Sequence, residues 1–290
     1  MSAAAGHLLC FGFGYGAQAL ARDPGGKFRR IAGTSREAAR PPAPGLRVEI
    51  LQFDREHPLR AAAFAGVTHL LVSVPPDAAG DPVLDMHGAD IAAIPGLEWL
   101  GYLSTTGVYG DRGGGWVDET ADLRPSGPRG VRRVAAEAAW RDLWRGCGVP
   151  VHIFRLAGIY GPGRSAFDAL RAGTAKRIDR PGQVFSRIHV EDVAAVLAAS
   201  MARPHPGVIY NVCDDEPAAA ADVVAHAAGL LGVPVPPTVA FEDADLSPMA
   251  RSFYDDNRRV SNARIKRELG VTLRYPDYRA GLVAILAAGG

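Results

Sequence analysis

The stretch His7-Leu8-Leu9-Cys10-Phe11-Gly12-Phe13-Gly14-Tyr15-Gly16-Ala17 decides the fold of this chain. Its first five residues are typical of a buried strand, and residues 15–22 are typical of a helix. Glycines placed directly between them permit a tight turn and let a pyrophosphate reach the backbone amides at the positive end of the helix. The stretch therefore predicts a dinucleotide-binding turn formed by Gly12, Gly14, Tyr15 and Gly16. A glycine-rich turn without a ligand is the alternative.

Short apolar runs alternate with alanine-rich amphipathic stretches along much of the chain. This alternation is typical of βαβ units and of a parallel sheet covered by helices on both faces. We expect an α/β fold of the Rossmann type, with a doubly wound parallel sheet of about seven strands and a smaller α+β C-terminal lobe. The predicted strands span 7–11, 28–33, 46–52, 68–74, 97–103, 151–156 and 208–212, and the main predicted helices span 15–22, 130–145, 190–201 and 263–269.

The pattern loosens after residue 160, where Gly161-Pro162-Gly163 opens an irregular segment. We expect residues 1–160 to form the dinucleotide-binding domain, completed by about residues 188–213. Residues 161–187 and 214–290 then form an interleaved substrate-binding lobe. The apolar positions 131, 134, 135, 138 and 139 of one predicted helix face either the sheet or a second copy, so a monomer and a homodimer both stay open.

The charge of the chain is balanced, with 32 basic and 31 acidic residues among 290. A net charge of +1 gives no electrostatic excess for a polyanion, so we expect a small-molecule substrate and no nucleic-acid partner. No apolar run reaches the roughly 18 to 20 residues that cross a bilayer, and the first residues do not resemble a secretory leader. We therefore expect a cytoplasmic protein with no membrane partner. The three cysteines are far apart and predict neither disulfides nor a metal site.

The end of the second predicted strand bears on the choice of cofactor. An enzyme that uses NAD usually carries an acidic residue there for the ribose hydroxyls, whereas this chain reads Gly33-Thr34-Ser35-Arg36. A guanidinium and two hydroxyls suit a 2′-phosphate, so Thr34, Ser35 and Arg36 predict NADP as the cofactor, with a surface arginine as the alternative. Asp54, just after the third predicted strand, is placed either to accept from the adenine amino group or to cap the next helix.

Four further segments resemble a known family. They are Ser104-Thr105-Thr106-Gly107-Val108-Tyr109-Gly110, the frame from Pro125 through Arg129 and Arg133 to Glu137, Arg155-Leu156-Ala157-Gly158-Ile159-Tyr160-Gly161-Pro162-Gly163, and Arg187-Ile188-His189-Val190-Glu191-Asp192-Val193-Ala194. Together with the glycine turn, they resemble the extended short-chain dehydrogenase/reductase family of the epimerase/dehydratase type, over nearly the whole chain. The resemblance implies an oxidoreductase or epimerase-like reaction on a small polar or nucleotide-sugar-like substrate.

The residue pair that performs the reaction in that family is missing from its expected place. The family uses a tyrosine as acid and base, with a lysine four residues later, one helical turn away. Counting from Pro125 and Glu137 puts Arg129 in the tyrosine position and Arg133 in the lysine position, and no tyrosine of the chain is followed by a lysine four residues on. Because arginine does not release its proton, Arg129 does not replace the phenol, whereas Arg133 keeps donors for ribose hydroxyls or a phosphate.

The resemblance also gives roles to side chains around the predicted cleft. It places the Thr105 hydroxyl beside the substrate, and Tyr109 and Tyr160 near cofactor and substrate. The candidate catalytic residues are therefore Thr105, Tyr109, Arg129 and Arg133, and Arg133 and Tyr160 join the cofactor-binding set. We expect four arginines in the cleft: Arg155, Arg164, Arg258 and Arg259. We also expect His189 to be buried and Asp192 to lie at the start of a helix.

Two hypotheses of function stay open at this point. The first is an NADP-dependent oxidoreductase or epimerase-like enzyme with a non-standard proton donor, which the intact Thr105 and the segment around Tyr160 favour. The second is an NADP-binding sensor or scaffold without catalysis, which the missing tyrosine and lysine favour.

Overall fold

The computed structural model of the protein describes residues 6–22, 27–37 and 45–289. The first five residues, on which the expectation about a leader depends, lie outside this range. Within it the strands are β1 (Gly6–Phe11), β2 (Phe28–Ser35), β3 (Glu49–Gln52), β4 (His69–Val72), β5 (Trp99–Thr105), β6 (Trp116–Val117), β7 (Val151–Leu156), β8 (Gly158–Tyr160), β9 (Arg177–Asp179), β10 (Arg187–His189), β11 (Ile209–Val212), β12 (Thr238–Ala240) and β13 (Arg259–Val260). The α-helices of the same residues are α1 (Tyr15–Arg22), α2 (Pro82–Ala92), α3 (Pro128–Cys147), α4 (Ala166–Arg171), α5 (Val190–Ala202), α6 (Ala220–Leu231), α7 (Pro248–Ser252), α8 (Ala263–Leu269) and α9 (Tyr278–Ala287).

Seven strands form one parallel sheet in the order β11-β7-β5-β4-β1-β2-β3. Helices α1 and α5 pack on one face of this sheet, where Leu20 and Val193 are buried, and α2 and α3 pack on the other, where Val83 and Trp140 are buried. The predicted doubly wound Rossmann-type sheet of about seven strands is confirmed. The strand order reverses between β1 and β4, and at such a point a crevice opens at the carboxyl ends of the strands.

Local sequence explains where the helices begin and end. Helix α3 starts with Pro128, whose fixed φ suits a first helical position, and stops before Gly148, which adopts the left-handed conformation with φ of 72°. It is two residues longer at each end than predicted. Helix α2, which the sequence analysis did not predict, starts after Asp81, whose carboxylate accepts from the N–H groups of Val83 and Leu84.

Most of the apolar positions singled out on α3 point away from the sheet. Positions 131, 135, 138 and 139 are exposed, whereas Ala136 and Trp140 are buried against the sheet. Packing on the sheet is therefore excluded for those four positions, and the oligomeric state stays a prediction.

The predicted smaller α+β region is present, and its segments lie on both sides of β11 in the chain. Helices α4, α6 and α9 pack around Phe167, Ala227 and Leu282, and Tyr160 belongs to the same apolar cluster. Two short parallel pairs, β10 with β8 and β13 with β6, tie this region to the segments that follow β7 and β5, and a third, β12 with β9, lies within the region itself. Across the described part of the chain, no helix has both the length and the apolar character to span a membrane.

Candidate functional site

The turn between β1 and α1 has the geometry that its glycines predict. Gly12 has a φ of +86°, and a Cβ there would lie 2.6 Å from Ser73 Oγ, so the position requires glycine. Gly14 is exposed, and a Cβ built on it would meet nothing within 4 Å, which leaves this side of the turn open. The first turn of α1 also has N–H groups without helical partners. An open backbone cradle with free donors fits a pyrophosphate.

A cleft of about 1400 Å³ lies at the carboxyl ends of the central strands. Its lining includes most of the glycine turn and three of the four candidate catalytic residues. Of the predicted site residues, the lining contains Gly14, Tyr15, Gly16, Thr105, Arg129, Arg133 and Tyr160. The remaining predicted residues lie outside this lining: Gly12, Thr34, Ser35, Arg36, Asp54 and Tyr109.

The residues predicted to bind the 2′-phosphate differ in accessibility. Thr34 is 2% exposed, and its Oγ1 accepts from the Gly12 N–H at 2.8 Å, so this hydroxyl holds the glycine turn in place. Ser35 is half-buried and its Oγ accepts from the Glu37 N–H at 3.2 Å. The Arg36 side chain is exposed at the end of β2. Ser35 and Arg36 thus keep accessible donors for an anion, whereas Thr34 does not.

Asp54 acts as a cap in the turn that follows β3. Its Oδ1 accepts from the N–H groups of Glu56 and His57, both at 2.9 Å, and lies 2.8 Å from His57 Nδ1. The hydrogen bond with the His57 side chain, helped by the two backbone donors, lowers the pKa of this carboxyl. The capping alternative from the sequence therefore describes its contacts here, although the capped segment is a turn.

Arg133 and Thr105 meet at the floor of the cleft. Arg133 Nη1 donates to the Leu103 carbonyl at 2.9 Å and to the Tyr102 hydroxyl at 3.0 Å, which fixes the guanidinium against the end of β5. Its other N–H groups stay available for a ligand. Thr105 Oγ1 accepts from the Gly107 N–H at 3.1 Å, so its own O–H is left to donate. Arg129 is exposed at the rim.

Behind this floor lies a buried polar network that the sequence analysis misjudged. Arg155 and Glu137, each with a side chain 3% exposed, form an ion pair at 2.7 Å, and Ser104 Oγ donates to Glu137 at 2.5 Å. Arg155 also donates to the Tyr109 hydroxyl at 2.9 Å, and that hydroxyl donates to Asn211 Oδ1 at 2.7 Å. The expectation that Arg155 points into the cleft is wrong, because its guanidinium is consumed by this pair. The expectation that the Tyr109 phenol reaches a substrate finds no support in this geometry.

Two tyrosines that line the cleft already use their hydroxyl protons. Tyr15 donates to the Pro162 carbonyl at 3.0 Å, and Tyr160 donates to the Asp277 carbonyl at 3.3 Å. A third cleft tyrosine, Tyr254, packs edge-on against Phe185, and burial raises the pKa of its phenol. The sequence analysis missed Tyr254, since it follows a short helix far along the chain and matches no motif.

The lining of the cleft is strongly cationic. Two acids, Asp255 and Asp256, stand against six arginines, and Asp256 is already paired with Arg258 at 2.7 Å. The six are Arg129, Arg132, Arg133, Arg164, Arg187 and Arg258. Arg164 and Arg258 thus lie in the cleft as expected, whereas Arg259 donates to the Gly114 carbonyl outside it. This excess of positive charge favours ligands that carry negative groups.

His189 and Asp192 hold the two regions together. His189 is 1% exposed, as predicted, and burial lowers its pKa to about 4. Its Nδ1 accepts from the Glu191 N–H at 3.3 Å, so His189 caps α5, and Asp192 is an acid of the first turn of that helix, as predicted. Asp192 accepts from the N–H groups of Arg274 and Tyr275, at 2.8 and 3.0 Å. No group of three or more His, Cys, Asp or Glu in the described residues is arranged to hold a metal ion.

Fold and cleft together define an α/β protein of the Rossmann type with a second, smaller lobe and a cleft at the carboxyl ends of its central strands. The family model for the NAD dependent epimerase/dehydratase family matches residues 89–213. A solved structure from Methylobacillus flagellatus, assigned as an NAD-dependent epimerase/dehydratase, is 26% identical, covers 99% of each chain and superposes with a TM-score of 0.72. Residues 89–213 of the chain are thus similar to the NAD dependent epimerase/dehydratase family, and the whole fold is similar to a structure assigned to it.

Other relatives are similar to different extents. A conserved protein of unknown function from Silicibacter pomeroyi DSS, whose structure is solved, is 55% identical, with 98% of this chain and 99% of that chain covered and a TM-score of 0.90. A 3-diazoavenalumate denitrifying reductase from Streptomyces sp is 28% identical, over 87% of this chain and 90% of the reductase. The YeeZ protein of Escherichia coli K12 is 31% identical over 179 residues, which are 61% of this chain and 58% of YeeZ. The chain thus matches little more than half the length of YeeZ.

Proposed function

We propose that the protein is an NADP(H)-dependent oxidoreductase that acts on a small molecule in the 1400 Å³ cleft. One observation carries the proposal: the open glycine turn lines the same cleft as Thr105 and Arg133. A dinucleotide whose pyrophosphate lies on that turn would therefore share the cleft with the donors at its floor. The match of residues 89–213 to the epimerase/dehydratase family model and the similarity to a reductase support the same reaction class.

The residues present fit the cofactor at three places. The backbone around Gly14 and Gly16 receives the pyrophosphate, and the exposed Arg36, with Ser35, receives the 2′-phosphate. Arg133, already fixed to the Leu103 carbonyl, offers its remaining N–H groups to the hydroxyls of the nicotinamide ribose. When bound, a nicotinamide dinucleotide supplies hydride transfer.

Tyr254 is the residue that we propose as the proton donor. Tyr15 and Tyr160 already donate to backbone carbonyls, and Arg129 does not release a proton near neutral pH. Tyr254 also lines the cleft, and its phenol carries a proton near neutral pH, as the phenol of an ordinary tyrosine does. Thr105, whose O–H is left to donate, holds the substrate oxygen by a hydrogen bond.

The choice of NADP is tested by measuring the affinities of NADPH and NADH for wild type and Arg36→Ala by titration calorimetry. A charge-assisted hydrogen bond contributes about 1.5–3 kcal/mol, so NADPH is expected to bind at least about tenfold more weakly to the variant. NADH affinity should change less than about twofold. Arg29→Ala, which removes another exposed arginine of β2, is the matched control. Equal losses for both nucleotides would remove the phosphate role of Arg36.

A second candidate function is an NADP(H)-binding sensor without catalysis. It is favoured by Arg129 and Arg133, which stand where the family resemblance expects the tyrosine and lysine. Tight NADPH binding without NADPH consumption, over a broad panel of carbonyl compounds and nucleotide sugars, would support this alternative and exclude Tyr254 as a working proton donor. For either function we propose that the protein acts in the cytoplasm as a monomer or homodimer, without a nucleic-acid or membrane partner.

A further inference from the structure

A second pocket of about 380 Å³ adjoins the main cleft and is not used by the cofactor in the function proposed above. It shares Tyr160, Arg164 and Arg187 with the cleft, so the two spaces meet at these residues. Its other lining residues come from the smaller region: Ser165, Ala166, Asp168, Ala169, Val223, Tyr278 and Leu282. The volume lies within the range of small-molecule sites, about 300–1000 Å³.

The inner wall of this side pocket is mostly hydrocarbon. Val223 of α6 and Leu282 of α9 lie opposite the alanines of α4, and Tyr278 adds an aromatic ring. One polar group of this wall is already used: Asp168 Oδ2 accepts from Ser165 N and Oγ at 2.6 and 2.9 Å, where it closes the capping box of α4. A sugar placed here would leave hydroxyls without partners, which costs free energy, whereas an apolar group gains from burial.

The mouth of the side pocket carries two arginines without a carboxylate partner. Within the described residues, no carboxylate oxygen lies within 4 Å of a nitrogen of Arg187 or Arg164. Arg187 is half-buried, and its Nη1 donates to the carbonyls of Phe185 and Ala218, both at 2.8 Å. Burial also raises the pKa of the neighbouring Asp214 to about 8, so that acid is largely neutral at pH 7. The positive charge of Arg187 is therefore left for a ligand to balance.

We infer that the substrate is an amphipathic organic acid. Its carboxylate pairs with Arg187 and Arg164 at the mouth, and its aryl or alkyl part fills the side pocket between α4, α6 and α9. This inference rests on the proposed function in one respect, that the ligand of the side pocket is the substrate of the cleft. It replaces the sugar-like substrate that the family resemblance implies.

The test measures binding of three probes to the full chain by titration calorimetry, with and without NADPH. The probes are 4-phenylbutanoate, its uncharged alcohol 4-phenylbutan-1-ol, and UDP-glucose. We expect 4-phenylbutanoate to bind at least about tenfold more tightly than the other two. Equal affinity for the acid and the alcohol, tighter binding of UDP-glucose, or no binding of the acid up to its solubility limit would each overturn the inference.

Variants separate the two ends of the ligand. Arg187→Gln should weaken 4-phenylbutanoate about tenfold or more while leaving the alcohol unchanged, and Arg187→Lys should recover part of the loss. Val223→Trp, which fills the side pocket, should weaken the acid and the alcohol alike. Arg279→Gln removes an exposed arginine of α9, paired with Glu216 at 2.6 Å, and is the matched control for net charge. Acid binding that survives both Arg187→Gln and Val223→Trp in folded protein would contradict the assignment.

The same samples distinguish failure of this inference from failure of the proposed function. NADPH binding is followed independently by nicotinamide fluorescence. If NADPH binds but 4-phenylbutanoate does not, the side-pocket inference fails alone. If 4-phenylbutanoate binds and NADPH does not, the cofactor proposal fails and the acid site stands.

Discussion

Removal of the Glu137 side chain tests whether the buried network behind the cleft holds its floor in place. Glu137 lies on α3 and receives hydrogen bonds from Arg155 of β7 and from Ser104 of β5. Both members of the ion pair have side chains only 3% exposed, so neither is solvated by bulk water. Glu137→Ala leaves the Arg155 guanidinium buried without its counter-charge.

The expected loss of stability follows from that burial. Removing one partner of a buried, hydrogen-bonded ion pair costs about 3–5 kcal/mol, because the remaining charge is left uncompensated. Asp142→Ala on the same helix is the matched control: its carboxylate pairs with Arg145, but its side chain is 70% exposed, so its loss should stay below about 1 kcal/mol. The double variant Glu137→Met/Arg155→Met removes both charges and should recover most of the stability.

Urea unfolding followed by tryptophan fluorescence and by circular dichroism gives these free energies, and agreement of the two signals checks for two-state behaviour. A loss of unfolding free energy in Glu137→Ala no larger than that in Asp142→Ala would refute a structural role of the buried pair. A double variant less stable than Glu137→Ala would show that the uncompensated charge is not the cause of the loss.

Three further predictions concern the turn, the buried acid and the proton donor. Gly12→Ala should weaken NADPH binding at least about tenfold and destabilise the fold by about 1 kcal/mol or more, because the φ of +86° and the contact with Ser73 both exclude a Cβ. An NADPH affinity equal to that of wild type would contradict this prediction. Asp214 has a folded-state pKa of about 8, above its ordinary 3.8, so the folded state keeps a proton that the unfolded state releases, and stability falls as the pH rises from about 4 to 8. Between pH 5.5 and 8 the free energy of unfolding of wild type, measured with urea, should therefore fall by about 3 kcal/mol more than that of Asp214→Asn. Parallel pH profiles of the two proteins would exclude this linkage. Tyr254→Phe should lower turnover about 100-fold or more with NADPH affinity unchanged. Tyr210→Phe, a change outside the cleft lining, should leave turnover unchanged. Equal turnover of the two variants would remove Tyr254 from the mechanism.

The sequence predicted the sheet and its glycine turn well because both depend on short-range signals. Apolar runs of four to seven residues specify buried parallel strands, and Gly12 specifies a backbone conformation that other residues rarely adopt. Helix α2 was missed, since its stretch contains Gly88 and the buried His87 and shows no clear polar face.

The sequence was less informative about which polar side chains face the cleft. Arg155 and Tyr109 sit at strand ends like true site residues, yet both are consumed by Glu137 and Asn211, which lie far from them in the chain. Thr34 was assigned to a phosphate but holds Gly12. Tyr254 reaches the cleft through the C-terminal part of the chain, and Arg187 reaches it through the pairing of β10 with β8.

The seven strands of the sheet, the glycine turn and the absence of an acid at the end of β2 follow from the sequence alone, because each depends on residues adjacent in the chain. Tertiary structure decided which arginines are neutralised and which remain free, because pairing depends on contacts between residues 18 to about 100 positions apart. It also created the side pocket, whose walls come from three helices that meet only in the folded protein.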